Sequence, residues 1–446
     1  MKINKKPFSI IAAVMLLFSL FTLSSAAGIP ETSGPPPTME PRQPLREGFG
    51  NFVYTDVYIQ GQFADVPDGE WYAGYVADAF NYGFISGRSE TLFAPLGMIT
   101  LGEAVTLAVK LGSVYHTGCS DFELTEPYYM AYAQYALEHG FIDKHMDYDA
   151  TATRAQFAGL FYNSMPASAF PEINIISAYG INDVMPDAEY GAAIYALYRA
   201  GVLAGSDQYG TFYPDSYITR AEACALMVRL AVPAFRINTK LPDSLPADVI
   251  YRRSAGAVIM IETFDSGGNA IRTGSAFVIS AGGYAVTCLH VIENAANAVV
   301  RLSNGEVYPV RGVNAINHEA NLIVLSIDSD RNDWDYLLVA DSSLIVEGNA
   351  VYTIGSPRSL INTMTGGVVS KTVDEENLEA MFQFTAPISF GSGGSPVLNG
   401  FGQVVGIASS SYSYGQNLNL AIPANHIRLL DAGESVALED LLQEQE

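Results

Sequence analysis

A weak internal repeat with a period of about 60 residues constrains the first half of this 446-residue chain more than any other feature. One copy reads FADVPDGEWYAGYVADAFNYGFISG followed by LFAPLGMITLGEAVTLAVKLG, and another INDVMPDAEYGAAIYALYRAGVLAG followed by TFYPDSYITRAEACALMVRLA. Between them lies a more degenerate version, EPYYMAYAQYALEHGFI and YDATATRAQFAGLFYNSM. The grammar is shared. An acidic stretch precedes an amphipathic helix such as Tyr190 to Ala200, which a glycine (Gly201) ends. A turn follows, and Thr219 then caps a second helix, with Glu222 at capping-box spacing. One such helix pair cannot bury its apolar face alone, whereas three stacked copies can. The copies are expected at 61–118, 119–170 and 178–233.

After about 247 the texture changes. Short β-rich runs (AVIMIE, GSAFVIS, YAVTCLHV, LIVLSID, VYTIG, QVVGIA) alternate with turn residues. Residues 247–432 fit two small barrels. The Pro-rich stretch 28–60 and the segment 234–246 read as linkers, and 433–446 as an acidic tail. The expected fold class is therefore multidomain: an α-helical pseudo-threefold repeat module followed by an all-β double barrel.

The N-terminus carries Lys2, Lys5 and Lys6, an apolar run from Phe8 to Leu23, and the small residues Ser24, Ser25, Ala26 and Ala27. This is the pattern of a secretory signal over 1–27. No later run is long enough for a bilayer span, so no transmembrane anchor is expected after signal cleavage. With 23 Lys+Arg against 47 Asp+Glu, the net charge of -24 argues against nucleic acid as a partner. Three cysteines, Cys119, Cys224 and Cys288, form neither a disulfide framework nor a zinc pattern. They read as buried small side chains. No metal site and no cofactor are inferred.

The repeat resembles the S-layer homology (SLH) domain, a module that attaches exported proteins to the bacterial cell wall. FADV at 63–66, NDV at 182–184, Trp71 and ITRAE at 218–222 carry the resemblance. It implies attachment to the cell wall or cell surface through an anionic secondary cell-wall polysaccharide. The polymer-binding residues it implies are Arg154, Arg220 and Trp71, because a guanidinium grips a carboxylate with a bidentate fork. The first copy has Leu101 at the Arg position.

The β-rich part resembles trypsin-like serine proteases of the HtrA/DegP type. The run from GSAFVIS to TCLHV places His290 at the catalytic histidine, NLIVLSID at 321–328 matches the strand of the orienting carboxylate, and TAPISFGSGGSPVLN at 385–399 the nucleophile loop. The resemblance implies a nucleophile, a general base, an orienting carboxylate and backbone oxyanion donors. His290 fits the base. Asn321 stands where the carboxylate belongs, with Glu319 two residues earlier as a substitute. The nucleophile has two registers. Aligned on Ser-Gly-Gly, Ser392 is the nucleophile and Phe390 replaces a glycine. Aligned without gaps, Gly391 is the oxyanion glycine and Gly393 takes the nucleophile position. The oxyanion hole is expected from Gly391, Gly393 and Gly394. Three functions remain open: a wall-anchored serine endopeptidase acting on exported or misfolded proteins, a pseudoprotease that binds peptides or proteins, and a structural surface protein.

Overall fold

The computed structural model describes residues 47–123, 125–372, 381–411, 419–430 and 432–443. The signal sequence expected over 1–27 lies outside these residues. Three helix pairs make up the first part: α1 (Ala73–Asn81) with α2 (Leu101–Thr117), α3 (Met130–Glu138) with α4 (Arg154–Asn163), and α5 (Gly191–Arg199) with α6 (Arg220–Ala231). The second helix of each pair opens on a complete capping box: Thr100 with Glu103, Thr153 with Gln156, and Thr219 with Glu222. Each box satisfies two of the donors a helix start leaves unpaired. Gly83, Gly140 and Gly201 follow the first helices with φ of 68°, 72° and 72°, a left-handed turn that a side chain would strain.

The repeats close into a ring. Backbone N–H groups of Leu101 and Gly102 donate to Ala150 and Tyr148, those of Arg154 and Ala155 to Ser216 and Pro214, and those of Arg220 and Ala221 to Gly97 and Pro95. Each second helix thus starts on the turn of the next copy. Acidic residues brace two of these turns: Asp65 accepts from the N–H groups of Phe93 and Ala94 at 2.8 and 2.7 Å, and Asp183 from those of Phe212 and Tyr213 at 2.9 and 2.6 Å. Inside the ring Phe93, Ile99, Phe157, Phe161, Phe212 and Ile218 share one buried cluster. Residues 47–60, read from composition as linker, pack on it instead, with Phe52 buried and Phe49 and Tyr58 against the core. Of the three cysteines expected inside, Cys224 and Cys288 are buried, but Cys119 is exposed because it lies past the end of α2.

Helix α7 (Ala247–Ser254) leads into two closed barrels. The first comprises β1 (Val258–Phe264), β2 (Ala270–Val278), β3 (Tyr284–Cys288), β4 (Asn297–Arg301), β5 (Val307–Asn317) and β6 (Leu322–Ile327), in the order β1-β2-β3-β6-β5-β4. The second comprises β7 (Ala350–Gly355), β8 (Thr363–Lys371), β9 (Phe382–Phe384), β10 (Pro396–Leu398), β11 (Val404–Ser411) and β12 (Asn419–Pro423), in the order β10-β11-β12-β9-β8-β7. Closure removes every sheet edge. Strand β6 is buried along its whole length, and its sequence, LIVLSI, is apolar but for Ser326. At the C-terminus Val436 bridges to Val313 and Leu438–Gln443 forms a short helix with Leu438 buried.

The third repeat is seated on the second barrel. Met185 belongs to that barrel's apolar cluster. The amide of Gln403, almost fully buried, donates to the carbonyls of Tyr179, Ile181 and Asn182 at 3.4–3.5 Å. Arg253 of α7 reaches Asn182 and Asp207, and Arg428 pairs with Asp187 at 2.8 Å. The 234–246 segment is held at Leu245, which is buried and whose N–H donates to Gly400 at 2.7 Å.

Candidate active site

Strand register brings His290 and Asn321 together. In the antiparallel β3–β6 pair Cys288 faces Leu322, so the residues just beyond β3 and just before β6 are neighbours. A one-turn helix, α8 (Leu289–Ile292), presents His290. Asn321 sits at φ 54°, a left-handed conformation asparagine tolerates better than most residues. Its side-chain Oδ1 accepts the backbone N–H of His290 at 3.0 Å, and its Nδ2 lies 2.8 Å from His290 Nδ1 and 3.4 Å from Ser409 Oγ. Burial pushes the imidazole below the usual histidine range, and Arg272 adds to the effect. Arg272 itself donates to the His290 carbonyl and pairs with Glu293 at 3.5 Å. Glu319 is exposed, and no ion pair among the described residues joins it to His290.

The 389–395 loop reaches the same place from the second barrel and is strapped to the first. Ser275 of β2 is the strap: its N–H donates to the Gly393 carbonyl at 2.9 Å, its hydroxyl donates to the Gly391 carbonyl at 2.8 Å, and that oxygen accepts the Ser356 N–H at 2.9 Å. Thr287 braces Ser275 in turn, donating to its carbonyl at 2.7 Å. Gly391 and Gly394 have φ of 91° and 85°. A Cβ on Gly394 would stand 2.0 Å from the Ser275 carbonyl oxygen, so this glycine allows the two barrels to approach.

Serine and glycine are placed differently at the critical pair. The Ser392 hydroxyl accepts the Ser389 N–H at 3.2 Å, and the residue is only 5% exposed. It lines a cavity of about 180 Å³ together with Thr353, Gly355 and Ser395. No hydrogen bond joins Ser392 to His290 among the described residues. A Cβ built on Gly393, by contrast, would lie 3.1 Å from His290 Nε2. The residue beside the histidine is thus Gly393, as in the ungapped register. Phe390, three residues earlier in the loop, is 90% exposed.

Comparison with known proteins follows the same division. Residues 274–407 match the trypsin-like peptidase domain, and residues 62–105 and 180–224 match the S-layer homology domain. The chain joins S-layer homology domains to a trypsin-like peptidase domain of the HtrA type. Serine protease HTRA1A of Danio rerio is 34% identical over 194 residues, covering 41% of this chain and 40% of that protein. Mitochondrial serine protease HTRA2 of Bos taurus is 32% identical over 202 residues, covering 42% and 43%. The chain thus spans less than half the length of these relatives. A serine endoprotease from Yersinia pestis of known structure is 25% identical, with a TM-score of 0.37, covering 43% of this chain and 66% of that one.

In the SLH part, the two arginines of the repeat are turned inward. Arg220 is 5% exposed; its Nε donates to the Phe93 carbonyl at 3.0 Å, its Nη2 to the Ser86 carbonyl at 2.6 Å, and its guanidinium stacks 4.6 Å from the Phe93 ring centroid. Arg154 does the same at the next junction, donating to the Phe212 carbonyl at 2.8 Å, pairing with Glu222 at 2.7 Å, and lying 5.1 Å over Phe212. Both are charged clamps between neighbouring repeats. Sequence reasoning missed this, although the recurrence of Phe one position after Leu92 and Thr211 marks the partner. Leu101 starts α2 at the remaining junction. Trp71 is 56% exposed just ahead of α1.

Proposed function

We propose that this chain is a surface-anchored pseudoprotease: an exported protein whose SLH repeats hold it on a cell-wall polysaccharide while its trypsin-like domain binds peptide segments without cleaving them. One observation carries the reading. The backbone position within reach of His290 Nε2 is Gly393, which has no nucleophile, and the serine beside it, Ser392, accepts the Ser389 N–H and makes no hydrogen bond to His290 among the described residues. Acyl transfer on this fold needs an oxygen that the histidine can deprotonate. Asn321 in place of a carboxylate adds a second departure. His290, Asn321 and the N–H groups of Gly391 and Gly393 then serve as a polar binding site and not as catalytic machinery; the Gly394 N–H, expected in the oxyanion hole, donates instead to the Ala408 carbonyl at 2.9 Å.

At the wall, Arg154 and Arg220 set the spacing of the repeats on which an anionic polysaccharide lies, and Trp71 offers an exposed ring for stacking on sugar. Purified full chain should sediment with cell-wall sacculi and leave unfolded casein intact over hours. Casein cleavage that disappears in His290→Ala would overturn the non-hydrolytic reading. Failure to sediment would overturn the anchoring.

A further inference from the structure

The histidine of this site is set up as a hydrogen-bond donor. Asn321 Oδ1 is occupied by the His290 backbone N–H at 3.0 Å, which fixes the amide so that Nδ2 faces the ring at 2.8 Å from Nδ1. An amide nitrogen only donates, so Nδ1 must offer its lone pair, and a neutral imidazole then carries its proton on Nε2. That Nε2–H points toward the space beside Gly393, where a side-chain atom would stand 3.1 Å away. Next to it, the backbone N–H groups of Gly391 and Gly393 donate to no other described residue. The ring Nε2–H and these two backbone N–H groups are three donors at, or within two residues of, the position that lacks a side chain. The Arg272 guanidinium, bonded to the His290 carbonyl, adds positive potential.

Such a site rejects an ammonium group and suits an acceptor-only anion. A peptide carbonyl has one oxygen and would leave donors unpaired, whereas a carboxylate has two oxygens and room for all three. The exposed ring of Phe390, anchored by its carbonyl to the Arg358 N–H at 2.8 Å, provides an apolar surface on the rim. We propose that the site captures the C-terminal carboxylate of a peptide, one oxygen taking His290 Nε2–H and the other the N–H groups of Gly391 and Gly393, with an apolar side chain of the peptide against Phe390. This rests on the non-hydrolytic reading above and names the ligand class for it.

The test uses the full chain with ¹⁵N-labelled histidine and two probes, N-acetyl-alanyl-leucine as the free acid and as the C-terminal amide. The free acid should shift the His290 Nε2 resonance saturably, with the amide binding about tenfold more weakly or worse, the usual penalty for losing a charge-assisted pair. Gly393→Ala, whose methyl fills the space without backbone strain, should weaken the acid by a similar factor. Equal binding of acid and amide would overturn the carboxylate assignment and leave peptide binding standing. An unaffected Gly393→Ala variant would overturn the location. Absence of any shift with either probe at millimolar concentration would overturn both ligand class and peptide binding, and conversion of amide to acid in the sample would overturn the non-hydrolytic reading.

Discussion

Replacing Gly393 by serine should return a nucleophile to this domain, and the size of the return is set by Asn321. The new Cβ lies 3.1 Å from His290 Nε2, tight enough that the ring must give by a few tenths of an ångström. Gly393 does not use the left-handed region, so the backbone accepts a side chain. An Oγ on that Cβ is then within hydrogen-bond reach of the ring. Yet Nδ2 of Asn321 still faces Nδ1, so Nε2 keeps the proton and cannot take another. On this fold an Asp-to-Asn exchange at the orienting position costs about 10⁴ in turnover, equivalent to about 5 kcal/mol of barrier. Asn321→Asp reverses this. One oxygen keeps the His290 backbone N–H, the other accepts a hydrogen bond from Nδ1–H, and the ring's lone pair is then on Nε2. The assay is the second-order rate of labelling by a fluorophosphonate. Asn321→Asp alone should stay inert, Gly393→Ser should label slowly, and the double variant should label about 10³- to 10⁴-fold faster. If Asn321→Asp adds nothing to Gly393→Ser, the tautomer argument is wrong.

Three further outcomes follow from the packing. Arg220→Leu strands two carbonyls of the first repeat and should lower stability by about 2 kcal/mol or more, seen as a drop in the thermal midpoint. Gln403→Leu leaves the carbonyls of Tyr179, Ile181 and Asn182 facing an apolar side chain and should cost about 1–3 kcal/mol; limited proteolysis should then cut the chain between the third repeat and the barrels more readily. His290 has a folded-state value below its ordinary 6.5, through burial and Arg272, with Asn321 and Glu293 opposing. Between that lowered value and 6.5 the unfolded chain binds the extra proton, so stability should rise with pH across this window, and urea midpoints for His290→Gln should lose that slope.

Much of the architecture was legible because it is written in short-range signals. The Thr-x-x-Glu/Gln spacings at 100, 153 and 219 mark helix starts, and the run Leu322–Leu325 of β6, apolar without alternation, marks a strand buried on both faces. His290 and Asn321 were legible through the family resemblance of the strings around them, and the β3–β6 register is what brings the two together. The nucleophile loop was not. Ser392 and Gly393 are adjacent, both registers satisfy the flanking strands, and only the path imposed by Ser275 and Gly394 places Gly393 at the ring. The burial of Arg220, expected as a polymer-binding residue, was hidden for a different reason: a ring of repeats supplies the carbonyls and the phenyl face that enclose it. The seat of the third repeat on the second barrel was equally hidden, since its central residue, Gln403, carries a polar side chain that sequence alone places in water.

The most direct measurement is the intact mass of the unmodified chain after prolonged exposure to a fluorophosphonate. An unchanged mass is the expected result. A single adduct mapped to Ser392, and lost in His290→Ala, would contradict the assignment of Gly393 to the nucleophile position and make this domain an enzyme.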